Sequence, residues 1–129
     1  MEWATDVVTR SGVALHIRPV LPSDEWMLAE LFHHVSAEDK QFRFLSAVQE
    51  IGHPQLAAMT QVDYRSTINF LAFVEDGTLV ASAMLAATDD RARAELALSV
   101  HRDWKGKGIG WTLAEHARSE EHTSELQSH

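Results

Sequence analysis

Polar and apolar residues alternate at the start of the chain. Val13, Leu15 and Ile17 fall on one side, and Ala14, His16 and Arg18 on the other. A period of two gives a strand with one apolar face, and Pro19 and Pro22 end it. The period then changes. Leu28, Leu31, Phe32 and Val35 follow the i, i+3, i+4, i+7 spacing of an amphipathic helix. Pro22 and Ser23 stand where a helix begins, and Asp24 and Glu25 suit its positive end. Ser36 and Asp39 resemble a capping box for a second helix through Phe42 and Phe44, which Gly52 to Pro54 breaks. A third helical piece is expected from Gln55 to Thr60.

From Ile68 to Glu75 the residues are nearly all apolar, as in a buried strand. Asp76-Gly77 marks a hairpin, because both residue types tolerate positive φ. Leu79 to Ala87 is the returning strand, Asp89-Asp90 the next turn, and Ala94 to Val100 a further strand. These three form an antiparallel meander. Trp111 to Ala117 reads as a helix, with Ile109, Leu113 and Ala117 on one face. The order is strand, helices, three strands, a glycine-rich loop and a helix.

Composition narrows the function. At 129 residues, with 45% hydrophobic and 23% charged residues, the chain is expected to fold as one small globular domain. A net charge of −8 argues against nucleic acid as partner, since phosphate backbones call for a basic surface. With no cysteine there is no disulfide, thiolate nucleophile or cysteine-ligated metal. No basic n-region precedes an apolar stretch, and no apolar run approaches the ~20 residues of a membrane helix. The reading is a cytoplasmic protein with no membrane partner.

The chemistry is concentrated in Lys105-Gly106-Lys107-Gly108-Ile109-Gly110-Trp111-Thr112. A strand, a glycine loop and a helix start form an anion site. Missing side chains bare the backbone N–H groups, and the helix end adds roughly half a positive charge. Lys105 and Lys107 add peripheral charge. A Walker A loop needs Lys-Ser or Lys-Thr after its last glycine, and Gly110 is followed by Trp111. A dinucleotide fingerprint needs Gly-x-Gly-x-x-Gly after a strand of a parallel sheet, and the spacing here is Gly-x-Gly-x-Gly after a meander.

The loop resembles motif A of the GNAT N-acetyltransferases, Arg/Gln-x-x-Gly-x-Gly/Ala, with Gly108 and Gly110 at the last two fixed positions and Lys105 at the first. Ser99 to Trp104 before it is similar to that family as well, and the resemblance covers Leu15 to Ala117. It implies an α/β (α+β) fold, a mixed, mainly antiparallel sheet flanked by helices, with its carboxy-terminal part missing. It implies acetyl-CoA as acyl donor, its pyrophosphate on Gly106 to Thr112 and its pantetheine arm along backbone near Leu98 and Val100. A narrower resemblance, in Arg43-Phe44, Leu56 to Tyr64 and Arg93-Ala94-Glu95, is to bacterial protein-lysine acetyltransferases that modify acyl-CoA synthetases. It implies a primary amine, such as a protein lysine, as acceptor, and Glu95 as general base. The alternative is a non-catalytic acyl-CoA-binding regulatory module.

Other candidates carry less. Glu95 alternates with Leu96 and fits a solvated strand position equally well. The adjacent His33 and His34 diverge by ~100° on a helix, and no His-x-x-x-His pair appears, so no metal is expected. Tyr64, Trp104 and Trp111 read as packing residues, and Arg43 and Arg65 as solvated surface. Ser99 has no evident His/Asp partnership.

Arg118 to His129 resembles the translation of a sequencing-library adapter. The expected division is an amino-terminal extension over 1–12, a partial acetyltransferase domain over 13–117 and a non-native tail over 118–129. On that reading the usual general acid lies past residue 117, and the literal chain is inactive.

Overall fold

The computed structural model describes residues 4–36, 53–62, 67–87 and 94–121. The expected helix through Phe42 and Phe44, Asp39 of the capping box, Arg43, Tyr64, Arg65 and the Asp89-Asp90 turn lie outside the described residues.

Five strands form one sheet: β1 (Thr5–Val8), β2 (Ala14–Pro19), β3 (Thr67–Phe73), β4 (Leu79–Ala87) and β5 (Ala94–Val100). They lie in chain order, and every pairing is antiparallel among the described residues. Three helices accompany them among the described residues: α1 (Glu25–His33), α2 (His53–Thr60) and α3 (Ile109–Glu121). α3 continues past Ala117 to Glu121. Residues 5–8, in the segment expected to stand outside the domain, form the edge strand β1. Backbone pairing to β2 (Thr5 with Ile17, Val8 with Ala14) recruits them, although only Val7 packs on the core. The strand leading into the glycine loop is therefore the fifth.

The alternation in β2 holds: Leu15 and Ile17 are buried, Ala14 and His16 exposed. The β3–β4 hairpin closes as expected. Gly77 N–H donates to the Val74 carbonyl, Thr78 N–H to the Asp76 carboxylate, and Gly77 has φ of 90°.

The sheet separates two cores. On one face Leu15, Ile17, Phe70, Val80, Ala83 and Leu85 pack with Ile109, Leu113 and Ala117 of α3. On the other, Leu71, Phe73 and Leu79 pack with Leu28, Leu31 and Phe32 of α1 and with Leu56 and Met59 of α2. Polar groups buried on this second face are satisfied. The Asn69 amide donates to the Met59 carbonyl and accepts from the Ser82 hydroxyl, which ties α2 to the sheet.

Asp24 does more than face a helix terminus. Its buried carboxylate takes two hydrogen bonds from the Arg18 guanidinium (2.7 and 2.9 Å) and one from Leu21 N–H (2.7 Å). Burial alone would raise its pKa. The Arg18 and Leu21 hydrogen bonds and the Arg18 charge outweigh that and hold it below the ordinary carboxylate value. Arg18 also lies over the Phe73 ring, 4.8 Å from its centroid.

Candidate acyl-CoA site

The site grows from the join between β5 and α3. After β5 a single 3-10 turn (Arg102–Trp104) reverses the chain, and Lys105 to Gly108 leads into α3. Gly106 and Gly108 have φ of 80° and 81°. That left-handed conformation costs an ordinary residue roughly 1–2 kcal/mol. Gly110 serves a different need. A Cβ there would lie 3.0 Å from Leu98 Cδ2 and 3.4 Å from Val100 Cγ2, so its absence lets the first turn of α3 rest on β5.

The first intrahelical bond of α3 runs from Thr112 N–H to the Gly108 carbonyl (3.0 Å). The N–H groups of Ile109, Gly110 and Trp111 therefore have no partner inside the helix. They converge at the positive end of a helix thirteen residues long. The buried Ile109, Leu113 and Ala117 seat the helix on the sheet and fix where those donors point. Lys105 and Lys107 are exposed on the loop. The residues present fit a diphosphate.

β5 supplies a second feature. His101 N–H donates to the Val80 carbonyl of β4 (2.8 Å). Backbone polarity alternates along an antiparallel strand, so Leu96, Leu98 and Val100 turn their N–H and C=O groups to the opposite edge. β5 is the terminal strand of the sheet among the described residues. The open edge thus offers backbone groups at the two positions, Leu98 and Val100, expected to meet an extended ligand arm. Their side chains lie on the α3 face, and Leu98 is 38% exposed.

The structure thus gathers Lys105 to Thr112 with Leu98 and Val100. It does not bring Glu95 to them in the same way. Glu95 pairs with Ala86 and is exposed. By strand alternation it faces the α1 and α2 side, opposite Leu96, Leu98 and Val100. Among the described residues no side chain holds its carboxylate. Trp104 packs against the α3-side core as expected. Trp111 does not: it is 57% exposed, because its place in the first turn of α3 turns it away from the buried Ile109 and Leu113. Among the described residues no three of His, Asp and Glu come together as metal ligands would, and no helix is long and apolar enough to cross a membrane.

Sequence reasoning missed two supports of the loop. At its start, the His101 ring stacks on His34 (centroids 4.5 Å apart, planes 12° apart), and Arg102 N–H donates to the His34 carbonyl at the end of α1. The buried His101 Nδ1 accepts from Asp103 N–H (3.1 Å), which requires that nitrogen unprotonated. Burial, with the charges of His34 and Arg102, lowers the His101 pKa against the opposing pull of Asp103. In its middle, Ser11 Oγ donates to the Lys107 carbonyl (2.6 Å) from the turn between β1 and β2. Neither contact has a local sequence signal, since the partners are far apart in the chain.

Comparison with known proteins agrees with the geometry. A profile of the Acetyltransferase (GNAT) family matches residues 27–124. A curated acetyltransferase of Pseudomonas aeruginosa is 29% identical over 103 residues, covering 78% of this chain and 55% of that protein. The chain thus spans about half the length of that relative. The GNAT domain of S. lividans PAT superposes with a TM-score of 0.85 at 23% identity, covering 94% of this chain and 73% of that one. A cAMP-binding acyltransferase from Mycobacterium smegmatis gives a TM-score of 0.53 at 27% identity, over 86% of this chain and 33% of that one. With most of its length matched by one family profile and its five-stranded sheet shared with solved members, the chain belongs to the GNAT acetyltransferase family.

Proposed function

We propose that the protein transfers an acetyl group from acetyl-CoA to a primary amine. The observation that carries this reading is the set of N–H donors at Ile109, Gly110 and Trp111, open at the end of α3 behind a glycine loop. The diphosphate of the donor sits on residues 106–112, with Lys105 and Lys107 lending charge. The pantetheine arm adds to the free edge of β5 through the backbone of Leu98 and Val100. That edge also offers N–H groups to a developing oxyanion. Glu95 takes a proton from the acceptor ammonium, directly or through water. The freed amine forms a C–N bond at the thioester carbonyl as the C–S bond breaks, and the thiolate departs and takes up a proton.

A protein lysine is the proposed acceptor, with acyl-CoA synthetases as candidate targets. Structural likeness to the S. lividans PAT domain supports this choice, as does the position of Glu95 on β5. The test, on the whole protein, is thiol release from acetyl-CoA with and without a panel of primary amines that includes lysine peptides. The proposal expects release that depends on the amine. Coenzyme A binding with no transfer to any amine would instead favour the regulatory-module reading.

A further inference from the structure

The turn between β1 and β2 is closed by Thr9 N–H to the Val13 carbonyl and by Gly12 N–H to the Thr9 carbonyl (both 2.9 Å). Its hydroxyls reach across to the glycine loop. Val13 N–H donates to Thr9 Oγ1 (3.0 Å), Thr9 Oγ1 lies 3.0 Å from Ser11 Oγ, and Ser11 Oγ donates to the Lys107 carbonyl (2.6 Å). A hydroxyl has one proton to give. That of Ser11 is committed to Lys107, so in the middle link Thr9 donates and Ser11 accepts. The chain of hydrogen bonds therefore runs one way, from the turn backbone at Val13 to the loop carbonyl, and each link polarises the next. Thr9 is buried, and its Cβ is the nearest atom to a Cβ built on Gly108 (3.8 Å). Turn and loop thus meet at two successive residues.

Anchoring the Lys107 carbonyl has a geometric consequence. No peptide bond among the described residues is cis, and in a planar trans peptide the carbonyl and the following N–H point opposite ways. With its oxygen held toward the turn, the 107–108 peptide turns Gly108 N–H away from it. Glycines on both sides of Lys107 would otherwise let that peptide rotate at little cost. We propose that Ser11 is a positioning residue for the diphosphate cradle, acting through the hydroxyl relay from Thr9. This rests on the reading of residues 105–112 as that cradle. Ordering the peptide before binding removes part of the entropy lost when the ligand arrives.

The experiment is calorimetric titration of the full chain and of Ser11→Ala and Ser11→Thr with coenzyme A and, separately, with pantetheine, which lacks the diphosphate. Thermal melting without ligand accompanies each variant. Ser11→Ala is expected to weaken coenzyme A roughly 3- to 10-fold, the worth of one ordinary hydrogen bond. Pantetheine affinity stays at the wild-type value, and the unliganded melting temperature falls by no more than the few degrees that one hydrogen bond is worth. Ser11→Thr, which keeps the hydroxyl, restores coenzyme A binding to within about twofold. If wild type prefers coenzyme A to pantetheine but Ser11→Ala binds coenzyme A as wild type does, the relay is overturned and the cradle stands. A wild-type chain with no such preference overturns the cradle, and the relay with it. A larger loss of melting temperature in Ser11→Ala, with both ligands weakened equally, makes the contact merely structural and also overturns the proposal.

Discussion

The glycine loop and the Glu95 position belong to the same strand–loop–helix unit, yet they are held differently. His34 and His101 fix the loop at its start, Ser11 fixes its middle, and Gly110 against Leu98 and Val100 fixes its end. Glu95 stands exposed on β5, with no side-chain partner among the described residues. An anion cradle works through fixed backbone dipoles, which must be ordered before the ligand arrives. A base works through a side chain that meets the second substrate and needs only reach and the right protonation state. In the proposed reaction the loop is ordered by contacts within the chain, whereas Glu95 would take its partner from the substrate.

The largest effect that bears on this contrast comes from Glu95→Gln. In the proposed transfer reaction it should cut turnover by about a hundredfold to ten-thousandfold, while calorimetry shows coenzyme A affinity unchanged. Wild-type turnover would remove Glu95 from the mechanism. Next is Leu113→Ala, which leaves the loop residues intact but unseats the helix that aims them. Removing this fully buried side chain should cost about 2–5 kcal/mol of stability by denaturant titration. A loss under about 1 kcal/mol, the range of an exposed site, would mean that α3 is not seated as described.

Gly110 makes a close contact between α3 and β5 at the loop's end. Alanine presses mainly on the end of the flexible, part-exposed Leu98, which can move aside. The motif's tolerance of Gly or Ala at this position fits that geometry. Valine also meets Val100, whose branched side chain is stiffer, and overpacking of this kind costs about 1–3 kcal/mol. Gly110→Val should therefore weaken coenzyme A by about tenfold or more, and Gly110→Ala far less. Equal affinities in the two variants would show that the turn does not rest on β5.

The smallest effect is a pH dependence. Burial is the first cause of the lowered His101 pKa, so the folded state prefers the ring neutral. Below the unfolded value of about 6.5 the unfolded chain binds the extra proton more readily, and stability falls as pH falls. His116 adds in the same direction, its pKa lowered by burial against an opposing Glu120 charge, with its ring edge-on to Phe70. Asp24, held below its ordinary value by Arg18, extends the loss to more acidic pH as its carboxylate protonates. Protonation at His101 Nδ1 also removes the acceptor for Asp103 N–H at the loop's start. Denaturation midpoints measured from pH 7.5 down to 5 should fall, and fall less in His101→Asn. A flat profile would contradict the role given to the stacked pair.

What was legible in the sequence was whatever depends on near neighbours. The period of two at Leu15 and Ile17, the spacing of Ile109, Leu113 and Ala117, and the Asp76-Gly77 turn all act within a few residues, and all appear in the fold. The glycine loop was legible because its backbone conformation is set locally. β1 was hidden because an edge strand whose Thr5 and Val7 are only part-buried carries almost no apolar pattern. The ionic partner of Asp24 sits on the preceding strand, and pairing with it needs the chain to turn at Pro22 first. Ser11 and Lys107 are 96 residues apart, and His34 and His101 are likewise distant, so only the sheet order brings them together. Trp111 flanks the loop and reads as a packing residue in sequence, but its place on α3 leaves it 57% exposed.

In the proposed reaction, main-chain donors at the start of α3 receive a diphosphate. Amide chemical shifts of a nitrogen-15-labelled chain, followed during titration with coenzyme A, test it directly. The largest changes are expected at Gly108, Ile109, Gly110 and Trp111, and they should shrink when pantetheine replaces coenzyme A. Saturable binding that leaves those four amides unmoved, with the changes elsewhere in the chain, would contradict it.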